Sequence, residues 1–137
     1  MRKRYQKIVV ALIEKSGKIL IGKKIFKRGH FLSSSWHIPG GHVKIGESEK
    51  SALVREMEEE TGLKVRVLNK IGEIRIKQKH MRVIWYRCRP ISGNIRAGGD
   101  ISQLQFVYKS EGLKLFPKPA LKYWPMEIKF YFKIKKF

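Results

Sequence analysis

The sequence predicts a single α+β domain in which one strongly marked helix is set among several strands. Three observations carry that expectation. The chain has 137 residues, within the range of one domain and too short for two ordinary ones. Its apolar fraction of 42% is that of a globular chain, and a domain of this length buries roughly two-thirds of its unfolded surface without a disulfide or metal staple. Turn residues divide most of the chain into short β-rich runs, whereas Glu49–Glu60 is built from good helix formers.

In chain order, Ile8–Ile13 and Ile19–Ile21 are β-rich runs joined across Glu14-Lys15-Ser16-Gly17-Lys18, the pattern of a hairpin. Lys27–Ser35 reads as a loop. Trp36-His37-Ile38 is a short extended piece stopped by Pro39-Gly40-Gly41, since proline restricts the residue before it. Ser48 is the better N-cap for the helix and Ser51 the weaker one, and Gly62 stands where a C′ glycine ends a helix. Lys64–Lys77 is β-rich with interruptions at Asn69 and Gly72. Arg82–Arg89 is a strand ended by Pro90, with Val83 and Trp85 alternating against Ile84, Tyr86 and Cys88. Turns at Ser92–Asn94 and Ala97–Asp100 precede a strand at Leu104–Tyr108, and Pro117–Trp124 has the make-up of a short helix. Ile128, Phe130, Phe132 and Ile134 alternate with Lys129, Tyr131 and Lys133, which predicts a last, half-buried strand with a basic outer face. Lysines on such a strand suit a protected edge or a surface that follows an RNA backbone.

The charge is uneven. There are 31 basic and 11 acidic residues, a net charge of +20, and six of the eleven acids lie between Glu47 and Glu60. The segment Gly41–Leu63 carries three basic and six acidic residues, net −3, which leaves +23 on the rest. An acidic patch in a basic body is the layout of a cation site that handles polyanions. The only cysteine, Cys88, sits in an apolar run, so no disulfide framework or thiolate metal site is expected and a reducing cytosol fits best. The apolar run Ile8–Ile13 is too short to span a membrane and no targeting signal is visible. His30, His37, His42 and His80 lack zinc-ligand spacing. Trp85 and Tyr86 suit the core better than a base-stacking role.

Within Gly41–Leu63, GHVKIGESEKSALVREMEEETGL, Glu56, Glu59 and Glu60 fall at i, i+3 and i+4. On a helix they share one face, where their repulsion is relieved by a divalent cation. Arg55 stands four residues before Glu59, placed to hold that carboxylate, and backbone carbonyls of the Gly40-Gly41 turn are possible further ligands.

This segment resembles the Nudix box, G-x5-E-x7-R-E-U-x-E-E-x-G-U, where U is bulky and apolar. Gly41, Glu47, Arg55, Glu56, Glu59, Glu60 and Gly62 fill every fixed position, and Met57 and Leu63 the two apolar ones. Seven such matches arise by chance on the order of once in a million chains. Trp36–Gly41 is similar to the family's W-x-φ-P-G-G segment (φ apolar), and Asp100–Val107 to a later acidic turn and strand, with Gln103 and Phe106 where Glu and Trp are frequent. The last strand, Glu127–Lys135, is assigned no counterpart by the resemblance.

The resemblance implies a Nudix-type α/β/α sandwich around a mixed β-sheet, occupying residues 1–137. It implies hydrolysis of a pyrophosphate bond in a nucleotide-like small molecule, with Mg²⁺ or Mn²⁺ as cofactor. Glu56 and Glu60 are the implied main metal ligands, Glu59 the next, with a backbone carbonyl of Gly40 or Gly41. Glu47 acts through hydrogen bonds or water, and Arg55 orients the carboxylates. Glu59, Asp100 and Glu111 are the candidate general bases, in that order, and Lys23 is a candidate phosphate contact. Relatives occur as monomers and homodimers. The proline and tyrosine that mark many ADP-ribose and diadenosine polyphosphate hydrolases are replaced here by Lys79 and His80. The basic charge supports a second expectation, action at the 5′ end of RNA. A non-catalytic nucleic-acid module would show eroded carboxylates, and this box is complete.

Overall fold

The computed structural model describes residues 4–26, 28 and 34–133. In chain order it contains β1 (Gln6–Lys15), β2 (Lys18–Lys24), β3 (Trp36–His37), β4 (Gly40–His42), α1 (Glu49–Thr61), β5 (Lys64–Ile76), β6 (Met81–Ser92), β7 (Ile101–Val107), α2 (Lys109–Leu115), α3 (Lys118–Leu121) and α4 (Met126–Tyr131). Lys27 and residues 29–33 of the expected loop lie outside the described residues, as do His30 and Ile134.

The strand β1 organises the sheet, whose order is β3-β2-β1-β6-β5, with β4 also on β1 and β7 on β2. It pairs in parallel with β6 from Gln6↔Met81 to Ile13↔Cys88, and antiparallel with β4 at Ile8–Val10. Its last residues form the hairpin with β2 at Glu14↔Ile19 and Lys15↔Lys18. The sheet is therefore mixed. A strand with partners on both edges and layers on both faces must be apolar throughout, and Val9–Ile13 is buried at every position.

Alternation divides that burial between two cores. Val9, Ala11 and Ile13 pack with Ile84, Cys88 and the Ala52, Leu53 and Met57 side chains of α1. Val10 and Leu12 pack on the opposite side with Ile21, Trp85, Phe116, Trp124, Ile128 and Phe132. Each fully buried side chain of this size contributes about 1.5–3 kcal/mol. The Trp124 ring meets Trp85 and Phe116 at 5.4 Å each, edge to face. Helices on both faces of a mixed sheet make the expected α/β/α sandwich, and Trp85 and Tyr86 belong to its core. Among the described residues no helix is long and apolar enough to cross a membrane.

The interruptions expected at Asn69 and Gly72 are present, as slips of the β5–β6 register at Val67/Asn69 and Lys70/Gly72 within one continuous strand. Two element expectations need correction. Pro90 does not end β6, because it pairs with Val65 beyond Cys88, the last β1 partner, where a missing N–H costs no second ladder. The last strand is instead the helix α4. Ile128 and Phe132 are buried four residues apart, whereas Phe130 between them is 64% exposed. A strand would have buried all three.

Candidate active site

Two caps place the acidic helix. Ser48 is extended and its Oγ accepts from the Ser51 amide at 3.1 Å. At the other end Gly62 adopts a left-handed φ of 75°, and its N–H donates to the Glu58 carbonyl. The segment after β6 then closes over that end. The Arg96 amide donates to the Thr61 carbonyl at 2.8 Å, and the Gly98 amide to the Glu60 carbonyl at 3.0 Å. These bonds satisfy carbonyls that a helix leaves unpaired, and they bring Asp100 close enough to Glu60 for its charge to act there.

Within the box, Arg55 is the hub. Its Nε and Nη2 donate to the two carboxylate oxygens of Glu47 at 2.7 and 2.9 Å, and Nη2 also donates to the His42 carbonyl at 3.1 Å. Nη1 donates to Glu56 at 2.9 Å and reaches Glu59 at 3.4 Å. The Arg55 guanidinium, together with the Lys44 amide, holds the Glu47 carboxyl down at about 2. Arg55 is in turn held more firmly protonated by Glu47.

Glu56 lies against β4, where Gly41 has no side chain. A methyl group at Gly41 would overlap the Glu56 carboxyl carbon, so glycine is required there for close approach. Glu60 lies one turn on, on the same helix face as Glu56. Burial first, and then the Glu56 carboxyl, push the Glu60 carboxyl up to about 8, with Lys24 opposing and Asp100 adding to the rise. Two carboxyls crowded on one partly desolvated helix face repel one another, and a divalent cation would relieve that repulsion.

The sequence-predicted residues thus divide. Glu47, Arg55, Glu56, Glu60 and Gly41 form one connected group, and Asp100 acts electrostatically on it. Glu59 is 56% exposed on its side chain and joins only through the long Arg55 bond. Glu111 accepts from the Tyr108 amide and caps α2, so its carboxylate is engaged with its own helix. Lys23 pairs with Trp36 and Gln103 in the sheet. Its neighbour Lys24, absent from the sequence-based expectations, is the lysine whose charge acts on Glu60 and on His37. Adjacent strand residues face opposite sides, so only one of Lys23 and Lys24 can face the site, and the sequence does not say which. Burial followed by Lys24 lowers the His37 ring to about 4, with the Gly22 and Ser35 backbone and Asp100 opposing, which leaves a neutral imidazole. Shallow cavities of about 610 and 860 Å³ flank the Arg55–Glu47 pair, one along the outer face of α1 and one beside Lys7 and Ile45.

The NUDIX domain family model matches residues 3–125. The chain belongs to the Nudix hydrolase family. Over 102 residues it is 33% identical to the ADP-ribose pyrophosphatase of Methanocaldococcus jannaschii, covering 72% of this chain and 59% of that protein. Over 70 residues it is 40% identical to the oxidized purine nucleoside triphosphate hydrolase of Danio rerio, covering 51% and 43%. The chain thus spans about half the length of the curated relatives it matches. The crystal structure of the MutT protein from Methanosarcina mazei shares the Nudix fold, with a TM-score of 0.72 at 22% identity and 99% of each chain covered.

Nudix proteins use divalent metal ions, and the residues present fit one. Among the described residues no three His, Cys, Asp or Glu side chains converge into a ready-made metal cage. Mg²⁺ does not require such a cage, since it is held through one or two carboxylates, with waters and substrate phosphates completing the octahedron. The Glu56–Glu60 pair beside the bare Gly41 backbone meets that demand.

Proposed function

We propose that this Nudix domain is a Mg²⁺- or Mn²⁺-dependent pyrophosphohydrolase of small nucleotides. Its substrate is a nucleoside di- or triphosphate, or a nucleoside diphosphate linked to another group. The carrying observation is the half-buried carboxyl pair Glu56 and Glu60, with Glu60 raised to about 8 by desolvation and by Glu56, beside an arginine that fixes Glu47. The names of the two relatives above, an ADP-ribose pyrophosphatase and a nucleoside triphosphate hydrolase, support the phosphoanhydride bond as the common target.

Glu56 and Glu60 hold the cation, with a Gly40 or Gly41 carbonyl beside them. When bound, the ion supplies neutralising charge for the phosphates and Lewis acidity at the reacting phosphorus. Glu59, exposed and held only at 3.4 Å, takes the proton of the attacking water. Asp100, from the segment packed on the end of α1, is the second carboxylate in reach of that step. Arg55 positions Glu56 and Glu59, and Glu47 positions Arg55. Lys23 and Lys24 offer positive charge to the phosphates, with Lys24 on the Glu60 side.

The test uses Glu56→Gln and Glu60→Gln proteins. Both are expected to lose Mg²⁺-dependent release of phosphate or pyrophosphate from nucleotides while unfolding cooperatively. Added Mg²⁺ is expected to raise Tm only in the unsubstituted protein, because a ligand that binds the folded state alone stabilises it. Unchanged turnover in both variants would refute the assignment. A panel of nucleoside triphosphates, ADP-ribose and nucleotide sugars then fixes the substrate.

A further inference from the structure

Cations over aromatic rings occur at both ends of the sheet, with Lys79 and Lys122 over Tyr123 at one, but at the β1–β2 hairpin they line connected concave surface. Three lysines there sit over aromatic rings. Lys15 Nζ lies 5.8 Å from the Phe106 ring, Lys18 Nζ 5.0 Å from the Tyr108 ring, and Lys109 Nζ 3.8 Å from the Tyr131 ring. Each ring holds its ammonium in place at the surface, and among the described residues neither Lys15 nor Lys18 forms an ion pair, whereas Lys109 acts on the Glu14 carboxylate. One acid, Glu14, lines this region, and it is already engaged. Its Oε1 accepts from Arg87 Nε at 2.9 Å and its Oε2 from the Tyr131 hydroxyl at 2.6 Å.

The lysines are joined by concave surface. A cavity of about 310 Å³ runs from Glu14 through the hairpin to Lys109 and Tyr131. It shares Lys15 with a second of about 360 Å³, which reaches Phe106 and Ile91, and Lys109 with a third of about 520 Å³, which reaches Lys133. Tyr108 on this rim is 53% exposed. Positive charge spaced along a groove, with aromatic faces between, is what a single strand of nucleic acid requires, since the charges meet phosphates and the rings meet bases. A membrane surface requires no groove, and a free nucleotide would not use three linked cavities.

We infer that the groove around Lys15, Lys18 and Lys109 binds single-stranded nucleic acid, separately from the carboxylate site. It lies at the Lys18 end of β2, six residues from Lys24, which places it about 20 Å from the Glu60 side.

The test measures anisotropy of fluorescein-labelled oligo(dT) and oligo(U) of about 15 nucleotides, between about 50 and 200 mM salt. The unsubstituted protein is expected to bind both. Lys15→Glu/Lys18→Glu should weaken binding by at least about tenfold and reduce the slope of log affinity against log salt by about 1.4, which is about 0.7 per lost phosphate contact. Free-nucleotide turnover should stay unchanged in that variant. Lys77→Glu/Lys79→Glu, at the opposite end of β1 and equal in charge change, should change affinity by less than about threefold. Lys15→Gln/Lys18→Gln makes the same comparison should the reversal unfold the hairpin. Equal losses in the two pairs of variants would overturn the inference, because general charge would then explain binding. Absence of oligonucleotide binding, or binding only to phosphatidylserine vesicles, would overturn it as well.

Discussion

Arg55 grips the Glu47 carboxylate through two parallel hydrogen bonds, at 2.7 and 2.9 Å, across eight residues of sequence. Only a guanidinium presents two donors in that fork while leaving Nη1 for Glu56. Arg55→Lys keeps the charge and loses the fork. It is expected to lower kcat by at least about tenfold with KM for nucleotide little changed, because the carboxylates lose their orientation rather than their charge. A full set of kinetic constants for the variant decides this, and a wild-type kcat would show that the fork positions nothing.

Gly41→Ala puts a methyl group where the Glu56 carboxyl carbon lies. The side chain must move, while β4 keeps its pairing with Val9. Affinity for Mg²⁺, read by titration calorimetry, is expected to fall by at least about tenfold, with a Tm shift of only a few degrees. A collapse of Tm with normal Mg²⁺ binding would make Gly41 a purely structural residue.

The two faces of α4 separate helix from strand. Ile128 is fully buried and Phe130 is exposed. Ile128→Ala should cost about 2–4 kcal/mol in urea unfolding, and Phe130→Ala less than about 0.5 kcal/mol. Equal costs would mean that residues 126–131 form the strand that alternation suggests.

Acid should dissolve one surface pair. Arg82, then Lys70, hold the Glu73 carboxyl at about 2, down from an ordinary 4.5. A carboxyl whose folded value is depressed adds stability above its unfolded value, and that stability is lost as pH falls through the folded one. Glu73→Gln should therefore lie below the unsubstituted protein in Tm at pH 7, by an amount worth about 1 kcal/mol or less for a solvent-screened pair. The gap should close between about pH 5 and pH 2. A gap that persists at pH 2 would mean the loss comes from packing.

Much of the site could be read from spacing. Ser48, Gly62 and the carboxylates between them are local features, and a helix places i, i+3 and i+4 together without help from the rest of the chain. Gly41 and Glu47 were legible through the box, and the Arg55–Glu59 contact through its four-residue interval. The failures share a physical origin. Ile128 and Phe132 are separated by four residues, which satisfies both a strand period of two and a helical turn, so only the exposure of Phe130 distinguishes them. Pro90 depends on where its neighbour strand stops. Lys24 lies beside Glu60 because two distant strands and a loop converge, and no interval along the chain encodes that.

The parallel pairing of β1 with β6 also has a consequence for biosynthesis. Val9–Ile13 leaves the ribosome about seventy-five residues before Ile84–Cys88, its partners on one edge. At about 5–20 residues per second that is a wait of roughly 4–15 s. Throughout it an apolar, β-prone stretch gains β2, β4 and α1 as they emerge but leaves its long β6 edge open. Nascent chains of this protein thus pass through a sticky interval set by topology, and chaperone demand during translation should rise with any pause placed between codons 14 and 84.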